Sequence, residues 1–214
     1  MVGVQVSAQD LFRAAYENRY TWDKSFPGYT ADVTYTNGET VITGKISVGP
    51  DLKPNVEVDG EDAQKAIHGQ LFEVAIHRIR RTFEETHSKN TFSYGESDDT
   101  DPAGTEKILI GGKASGDYYK VRDNEVCLVH RHIHGVVVTI NTFSSHDTGE
   151  GYLSHTYDSV YHDTKTGEQK GGKSTFEDNY SKVGEYSLLS QRIIKTEGGA
   201  DQEFAFSNIA LMTS

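Results

Sequence analysis

Asp59 to His87 reads DGEDAQKAIHGQLFEVAIHRIRRTFEETH, and it is the one long stretch with an unmistakable helical period. At about 100° per residue, apolar side chains collect on one broad arc and polar side chains on the opposite arc. Asp59 fits the N-cap position, and Glu61 and Asp62 place negative charge where the helix dipole favours it. The pattern predicts one long helix, whose apolar arc consists of Ala63, Ile67, Leu71, Phe72, Val74, Ala75, Ile76, Ile79 and Phe83.

A shorter helix is predicted near the N-terminus, from about Ser7 to Tyr20. Ser7 is a favourable N-cap, and Asp10 stands three residues later, at the spacing of a capping box. Trp22 follows this helix. We interpret Trp22 as an anchor of the helix to the sheet rather than as a ligand-stacking residue, because large aromatic side chains dominate core energetics.

Most of the remaining chain has the period of two that is typical of strands. Tyr29–Thr36 and Glu39–Val48 flank Asn37-Gly38, which is a strong hairpin signal. Asn55–Val58 and Thr91–Tyr94 predict two short strands. The later part of the chain predicts a meander of eight further strands: Glu106–Ile110, Asp117–Arg122, Glu125–Ile133, Val136–Phe143, Tyr152–His162, Lys173–Lys182, Tyr186–Thr196 and Glu203–Leu211.

Together these patterns predict a single α+β domain over residues 1–214. We expect a curved antiparallel β-sheet, a half-barrel of about nine to eleven strands, with two main helices packed on its concave face. No part of the chain alternates strands with long helices, so a parallel doubly wound sheet is not expected.

The composition disfavours several classes of function. The chain has 214 residues and a net charge of -11, so nonspecific binding to nucleic acid or to an anionic membrane is disfavoured. Cys127 is the only cysteine, which excludes an intrachain disulfide and a thiolate metal site. No apolar run, Val136–Val138 included, is long enough to span a bilayer, and Met1–Ser7 has no signal-peptide features. We expect a cytoplasmic protein, or an organelle stromal protein if a targeting segment has been removed.

Residues 167–174 read GEQKGGKS and match the phosphate-loop pattern G-x-x-x-x-G-K-[ST]. That motif holds phosphate between a buried apolar strand and a helix N-terminus. Here the preceding segment is polar, and Thr175–Tyr180 alternates like a strand. We interpret the match as accidental. We predict a hairpin turn at Asp163–Gly167, and Lys173 at the start of an antiparallel strand with its side chain in water.

An acidic loop at Glu96–Pro102 contains three aspartates within four residues. Aspartates at this density can bind calcium, but the twelve-residue loop with a central glycine and a final glutamate is missing. We interpret the segment as a solvated loop.

Three histidines, His130, His132 and His134, alternate along one predicted strand, so their side chains should lie on one face about 7 Å apart. Two such histidines can bind zinc, iron or copper if a neighbouring strand supplies a third ligand. His155 and His162 are the candidate partners, and at most one can contribute because they lie on opposite faces of their strand. The alternative is a solvated or cavity-lining face on which the histidines are hydrogen-bonded.

The segment SAQDLFRAAYENRYTW (Ser7–Trp22), followed by FPGYTADV (Phe26–Val33), resembles a family of uncharacterised proteins from photosynthetic organisms, cyanobacteria and plastids. The resemblance covers most of the chain and implies neither an activity nor site residues. The order of helix, hairpin, helix and long meander is also similar to the lipoprotein-carrier fold of the LolA and LolB type. In that fold an N-terminal helix leads into an antiparallel half-barrel, and helices plug its concave face.

The leading functional hypothesis is a soluble, non-enzymatic binding protein that holds an apolar or amphipathic small molecule between sheet and helices. The candidate ligand-binding residues are Phe72, Ile76, Phe83, His130 and His132. We assign no catalytic residue, no metal and no cofactor. We expect neither a nucleic-acid partner nor a membrane span.

An alternative hypothesis is a metal-dependent enzyme that uses the His-x-His-x-His strand, with a third ligand from an adjacent strand. A scaffold that binds another protein is a third class, and no feature of the sequence argues for or against it. The sequence predicts no particular oligomeric state.

Overall fold

The computed structural model describes residues 6–213. The helices in this range are α1 (Ala8–Glu17), α2 (Glu61–Arg78) and α3 (Phe83–His87). The strands are β1 (Tyr29–Asn37), β2 (Thr40–Val48), β3 (Pro54–Val58), β4 (Asn90–Tyr94), β5 (Glu106–Gly112), β6 (Tyr118–Arg122), β7 (Glu125–Ile133), β8 (Val136–Asp147), β9 (Tyr152–Asp163), β10 (Gln169–Val183), β11 (Tyr186–Thr196) and β12 (Gln202–Leu211). They form one sheet in the order β3-β2-β1-β12-β11-β10-β9-β8-β7-β6-β5-β4.

The predicted α+β class, an antiparallel sheet with helices, is confirmed. The described residues form twelve strands, one above the predicted range, because both short segments pair: β3 with β2 and β4 with β5. The first hairpin also forms as predicted, with β1 paired to β2 around Asn37-Gly38. Gly38 has φ 58, a left-handed conformation that glycine adopts at little cost.

The described chain divides into two compact units. Unit 1 comprises residues 6–19 and 81–173, with α1, α3, β4 to β9 and the first residues of β10. Unit 2 comprises residues 20–80 and 174–213, with α2, β1 to β3, the rest of β10, β11 and β12. A single domain over residues 1–214 stays a prediction.

The core of unit 1 is an aromatic cluster between its helices and β4 to β6. α1 begins as predicted, because the Ser7 side chain accepts a hydrogen bond from the backbone N–H of Asp10 (3.1 Å). Phe12 is fully buried, and its ring centroid lies 4.6 Å from that of Tyr119, 5.5 Å from Phe92 and 6.1 Å from Phe83. Side chains therefore fill the space between α1 and these strands.

Unit 2 has its own core, which includes the single tryptophan. Trp22 is buried, stacks on Phe26 at 4.1 Å, and donates from Nε1 to the carbonyl of Ser187 in β11 (3.4 Å). These contacts make Trp22 a core residue of unit 2, and its role as an anchor of the first helix stays a prediction. α2 packs on β2 and β3, and Gln64 Nε2 donates to the carbonyl of Val56 in the edge strand β3 (2.9 Å). The buried face of α2 consists of Ala63, Ile67, Leu71, Val74 and Ala75.

The prediction of one long helix from Asp59 to His87 is wrong in two respects. Gly60, not Asp59, is the N-cap of α2, and it makes no side-chain cap bond. The helix also stops at Arg78, because Ile79 has an extended backbone (φ -64, ψ 121) and pairs with Trp22. A new helix, α3, then begins after Thr82, so the described residues contain a short third helix besides the two main ones.

The break is stabilised by a capping box formed by Thr82 and Glu85. Thr82 Oγ1 accepts from the backbone N–H of Glu85 (3.2 Å), and the Glu85 carboxylate accepts from the backbone N–H of Thr82 (2.7 Å). Each bond satisfies an amide that a helix start leaves without an intrahelical partner. The pair therefore favours a fresh helix start at this point over continuation of α2.

The acidic loop at Glu96–Pro102 is not simply a solvated segment, because two of its carboxylates pair with a buried lysine. Lys120 in β6 is buried, and its Nζ lies 2.6 Å from Asp98 Oδ2 and 2.7 Å from Asp101 Oδ1. Hydrogen bonding to Lys120 holds the pKa of Asp98 below its usual value. An ammonium group thus occupies the position between the Asp98 and Asp101 carboxylates.

The segment that matches the phosphate-loop pattern does not have the structure of a phosphate loop, as predicted. Asp163 and Gly167 close a turn through a backbone bond (2.9 Å), and Lys173 lies in β10, which pairs with β11 as an antiparallel strand. The prediction that the Lys173 side chain lies free in water is wrong. Its Nζ forms an ion pair with Asp158, whose side chain is 2% exposed and also accepts from Asn141 Nδ2 (2.9 Å).

Lys173→Ala is therefore expected to destabilise the protein by about 1–3 kcal/mol, because it leaves a buried carboxylate with one fewer hydrogen-bond donor. Lys165→Ala, in the adjacent turn, is the control and should change stability by less than about 0.5 kcal/mol. Urea unfolding of the two variants measures the difference. Equal midpoints for both variants would contradict the importance of the Asp158 pair.

Candidate functional site

A second apolar surface runs along α2, outside the face that packs on β2 and β3. Phe72 is 47% exposed and Ile76 is 42% exposed. They stand four residues apart, so they occupy successive turns of one helix face, about 6 Å apart along the axis. Together with Gly69, which precedes Phe72 by three residues on the same side, they form what we call the α2 strip.

Gly69 leaves the helix backbone uncovered at the N-terminal end of the α2 strip. A Cβ at this position would meet nothing within 4 Å, so nothing among the described residues requires glycine here. A glycine inside a helix destabilises it by about 1 kcal/mol relative to alanine. Glycine is instead useful where another molecule approaches the helix backbone closely.

A polar side of α2 borders the strip and contacts a buried ion pair in unit 2. Arg192 in β11 and Asp178 in β10 form two parallel bonds, Nε to Oδ1 at 2.8 Å and Nη2 to Oδ2 at 2.7 Å. Arg192 Nη1 also donates to Gln70 of α2 (2.7 Å) and lies 3.5 Å from Glu73. These contacts fix the rotation of α2 and hold the strip on its exposed side.

The C-terminal end of α2 is fixed by the segment that precedes β1. The backbone N–H of Trp22 donates to the carbonyl of Arg78 (2.8 Å), and Arg80 Nε donates to Thr21 Oγ1 (3.1 Å). Arg80 is exposed, so its guanidinium is oriented by one bond and open to solvent. It lies four residues beyond Ile76, at the basic end of the strip.

Phe83, another candidate ligand-binding residue, lies elsewhere. It is buried in unit 1, next to Phe12, Tyr16, His87 and Phe92. Phe83 fills the core between the helices and the sheet of its unit.

His130 and His132 lie on the opposite face of the unit 1 sheet from Phe83. In the β6–β7 register Tyr119 pairs with Val129, and both pack against the core, whereas His130 pairs with Tyr118 on the other face. Side chains alternate along a strand, so His132 shares the face of His130. Phe83 and these two histidines cannot line one pocket between sheet and helices within this unit.

The two histidines make specific polar and aromatic contacts. His130 stacks on Tyr118 (4.4 Å between centroids, 17° between planes), and its Nδ1 lies 2.9 Å from Thr139 Oγ1. His132 Nδ1 and its backbone N–H both lie within 3.0 Å of Asp117 Oδ1. Burial, assisted by the neighbouring His132, lowers the pKa of His130. The arrangement corresponds to the hydrogen-bonded alternative considered from the sequence.

The metal-dependent enzyme hypothesis has no support in the described part of the chain. His134 lies beyond the end of β7, with φ 49, so only two of the three histidines share the strand face. Within residues 6–213, no group of three or more histidine, cysteine or acidic side chains is arranged to hold a metal ion. Burial also raises the pKa of the Cys127 thiol, which makes it a weak nucleophile.

Sequence similarity identifies the family. The sequence model of the DUF3386 family, proteins of unknown function, matches residues 4–212. The chain belongs to the DUF3386 family. The family description provides no activity that could be transferred to these residues. No curated protein matches the chain. An origin in photosynthetic organisms stays a prediction.

Three solved structures are similar over most of the chain. One is a LolA superfamily protein from Nitrosomonas europaea, with 9% identity, coverage of 98% of this chain and 95% of that chain, and a TM-score of 0.41. A domain from Vibrio parahaemolyticus, described as an outer membrane lipoprotein-sorting protein, has 10% identity, coverage of 97% and 91%, and a TM-score of 0.36. A DUF1329 family protein from Desulfovibrio piger has 10% identity, coverage of 97% and 91%, and a TM-score of 0.28. At these values, none of the three assigns a ligand to this DUF3386 protein.

The comparisons assign no site residue to this chain. None of its described helices is long and apolar enough to cross a membrane. Phe72 and Ile76 are candidates from the sequence, whereas Gly69 and Arg80 become candidates only from the structure. A glycine inside a helical pattern and a run of arginines after it were the available signals.

Proposed function

We propose that this DUF3386 protein is a non-enzymatic binding protein for an apolar or amphipathic small molecule, and that the α2 strip is its contact surface. The observation that carries the proposal is the exposure of Phe72 and Ile76 on successive turns of α2. Contiguous exposed apolar side chains are typical of ligand or partner sites. Of the five candidate residues named from the sequence, the proposal uses these two.

The surroundings of the strip support an amphipathic rather than a purely apolar ligand. His68, one turn before Phe72, holds its ring nearly parallel to the phenyl ring (10° between planes, 6.3 Å between centroids). Glu73 and Arg80 border the strip with charged groups. Sites for small molecules commonly combine a mainly apolar lining with a few polar groups that fix orientation.

The test is a titration with an apolar dye whose fluorescence rises in a non-aqueous environment. Phe72→Gln combined with Ile76→Gln should weaken binding at least tenfold, because loss of apolar contact worth about 1.4 kcal/mol corresponds to a factor of ten. Glutamine is a good helix former, so α2 should persist.

Val41→Gln is the matched control, since Val41 is 60% exposed in the same unit, on β2. It should leave the dye affinity unchanged. Equal loss in the control and the double variant, or no loss in either, would contradict the strip as the contact surface. Mass spectrometry of an organic extract of the purified protein would then identify any ligand retained from the cell.

The predicted cytoplasmic location belongs to this proposal. Cys127 is the only cysteine of the chain, and a free thiol is compatible with a reducing compartment. Fractionation of the native cells, with detection of the protein in the soluble cytosol or in an envelope fraction, checks this expectation.

A further inference from the structure

We infer that the ligand of the α2 strip is an anionic amphiphile, with its charged group at Arg80 and its apolar chain along Ile76 and Phe72. The inference rests on the proposed function and adds the chemical class of the ligand. It follows from the unequal distribution of charge along α2.

At the N-terminal end of the strip, the described residues offer no positive charge that is not already paired. Glu61 and Asp62 occupy the first turn, and Lys65 is paired with Glu61 (2.6 Å). Two acidic groups and one lysine leave this end with a net negative charge. An anionic group would be repelled here, although the helix dipole alone would attract it.

The C-terminal end of the strip is basic. Arg78 and Arg80 follow Ile76 within four residues. The Arg78 guanidinium donates to the Tyr180 hydroxyl (3.4 Å), whereas that of Arg80 is exposed. The dipole places about half a negative charge at a helix C-terminus. A full positive charge on Arg80 outweighs it, so this end favours an anion.

A hydrogen bond also holds the Arg80 side chain near the C-terminal end of the strip, where the apolar chain of a bound amphiphile would end. Its side chain donates to Thr21 Oγ1 (3.1 Å), and Ile79 pairs with Trp22 in a parallel bridge. Two helical residues and the extended Ile79 separate Ile76 from Arg80, which places their Cα atoms within about 12 Å. A flexible arginine side chain can shorten that distance further. A single-chain amphiphile can therefore contact Phe72, Ile76 and Arg80 together.

The overall acidity of the protein does not prevent an anionic ligand from binding at Arg80. The net charge of -11 is spread over the whole chain, and at physiological salt, interactions beyond about 8 Å are largely screened. A guanidinium in direct contact with a carboxylate or phosphate acts at much shorter range and forms charge-assisted hydrogen bonds. The local arginine therefore determines the preferred charge of the ligand.

Three probes with the same dodecyl chain test the inference: dodecanoate, dodecylamine and dodecyl maltoside, each below its micelle concentration. Displacement of the apolar dye measures their affinities for the full chain. Dodecanoate should bind at least tenfold more tightly than the other two, the equivalent of one good charge-assisted contact.

Arg80→Gln should remove the preference for dodecanoate and leave the affinity for dodecyl maltoside unchanged. Lys65→Gln, which removes a cation from the other end of the same helix, should leave the preference intact. Equal affinities for the three probes, or a preference that survives Arg80→Gln, would overturn the inference. If the inference fails in this way but the three probes bind the Phe72→Gln, Ile76→Gln double variant more weakly than the wild type, the proposed function stands without the inference. If no probe binds, the proposed function fails as well.

Discussion

Asp178→Asn should be among the most destabilising single substitutions in the protein. The Asp178 and Arg192 side chains are 2% and 4% exposed and form two charge-assisted bonds. Removing Asp178 leaves the buried guanidinium with only the half-exposed Glu73 carboxylate at 3.5 Å as a counter-charge, and breaking a buried ion pair typically costs about 3–5 kcal/mol. Urea unfolding, followed by circular dichroism, should therefore show a large decrease in the midpoint.

A double variant separates the charge from the packing. Asp178→Leu combined with Arg192→Met replaces both charges with apolar groups, and such replacements of buried ion pairs are often neutral or stabilising. The double variant should recover most of the stability that Asp178→Asn loses. Glu61→Gln, in the exposed pair with Lys65, is the surface control and should change stability by less than about 1 kcal/mol. A double variant as unstable as Asp178→Asn would contradict this account.

The stability of the protein should decrease between pH 7 and pH 5, and His87 should contribute a large part of the decrease. His87 is buried among Phe12, Tyr16, Phe83 and Phe92. Burial lowers its pKa to about 4. Asn90 Nδ2 lies 3.1 Å from His87 Nδ1, and an amide donor there favours the neutral ring.

The direction in which stability changes with pH follows from proton linkage. The unfolded chain binds a proton at His87 below the ordinary histidine pKa of about 6.5, whereas the folded protein binds it only near pH 4. In between, the unfolded state holds more protons, so stability falls as the pH falls. The contribution should be about 2 kcal/mol by pH 5 and about 3 kcal/mol by pH 4.

His87→Phe keeps an aromatic ring in the cluster and removes the titration, so its stability should depend less on pH than that of the wild type. Phe92→Leu perturbs the same cluster without a titrating group, and it should shift stability equally at every pH. Chemical unfolding at pH 5, 6 and 7 measures the three slopes. Parallel slopes for the wild type and His87→Phe would show that His87 does not contribute to the acid sensitivity.

Features determined by neighbouring residues were predictable from the sequence. The Ser7 cap of α1, the Asn37-Gly38 hairpin and the turn at Asp163–Gly167 all depend on contacts within a few residues. The strands of the meander were predictable as well, because alternation of side chains identifies a strand without knowledge of its partner.

The features that sequence analysis missed depend on contacts distant in the chain. Ile79 continues the helical period of α2, and only its pairing with Trp22 shows that the helix has ended. Lys173 looked solvated because its partner, Asp158, is brought close by the sheet. Alternation also places His130 and His132 on one face, but it does not reveal which face carries α1 and Phe83. In the structure, His130 and His132 lie on the face that points away from the core of unit 1.

The hydrogen bond from Gln64 to Val56 has a consequence for the protein's behaviour at high concentration. β3 is one edge of the sheet, and an edge strand with unpaired backbone groups is a template for aggregation. Its first residue, Pro54, has no N–H to offer, and the Val56 carbonyl is already occupied by Gln64 (2.9 Å). A strand from another molecule therefore has fewer backbone groups to pair with along β3, which disfavours growth of the sheet by strand addition at this edge.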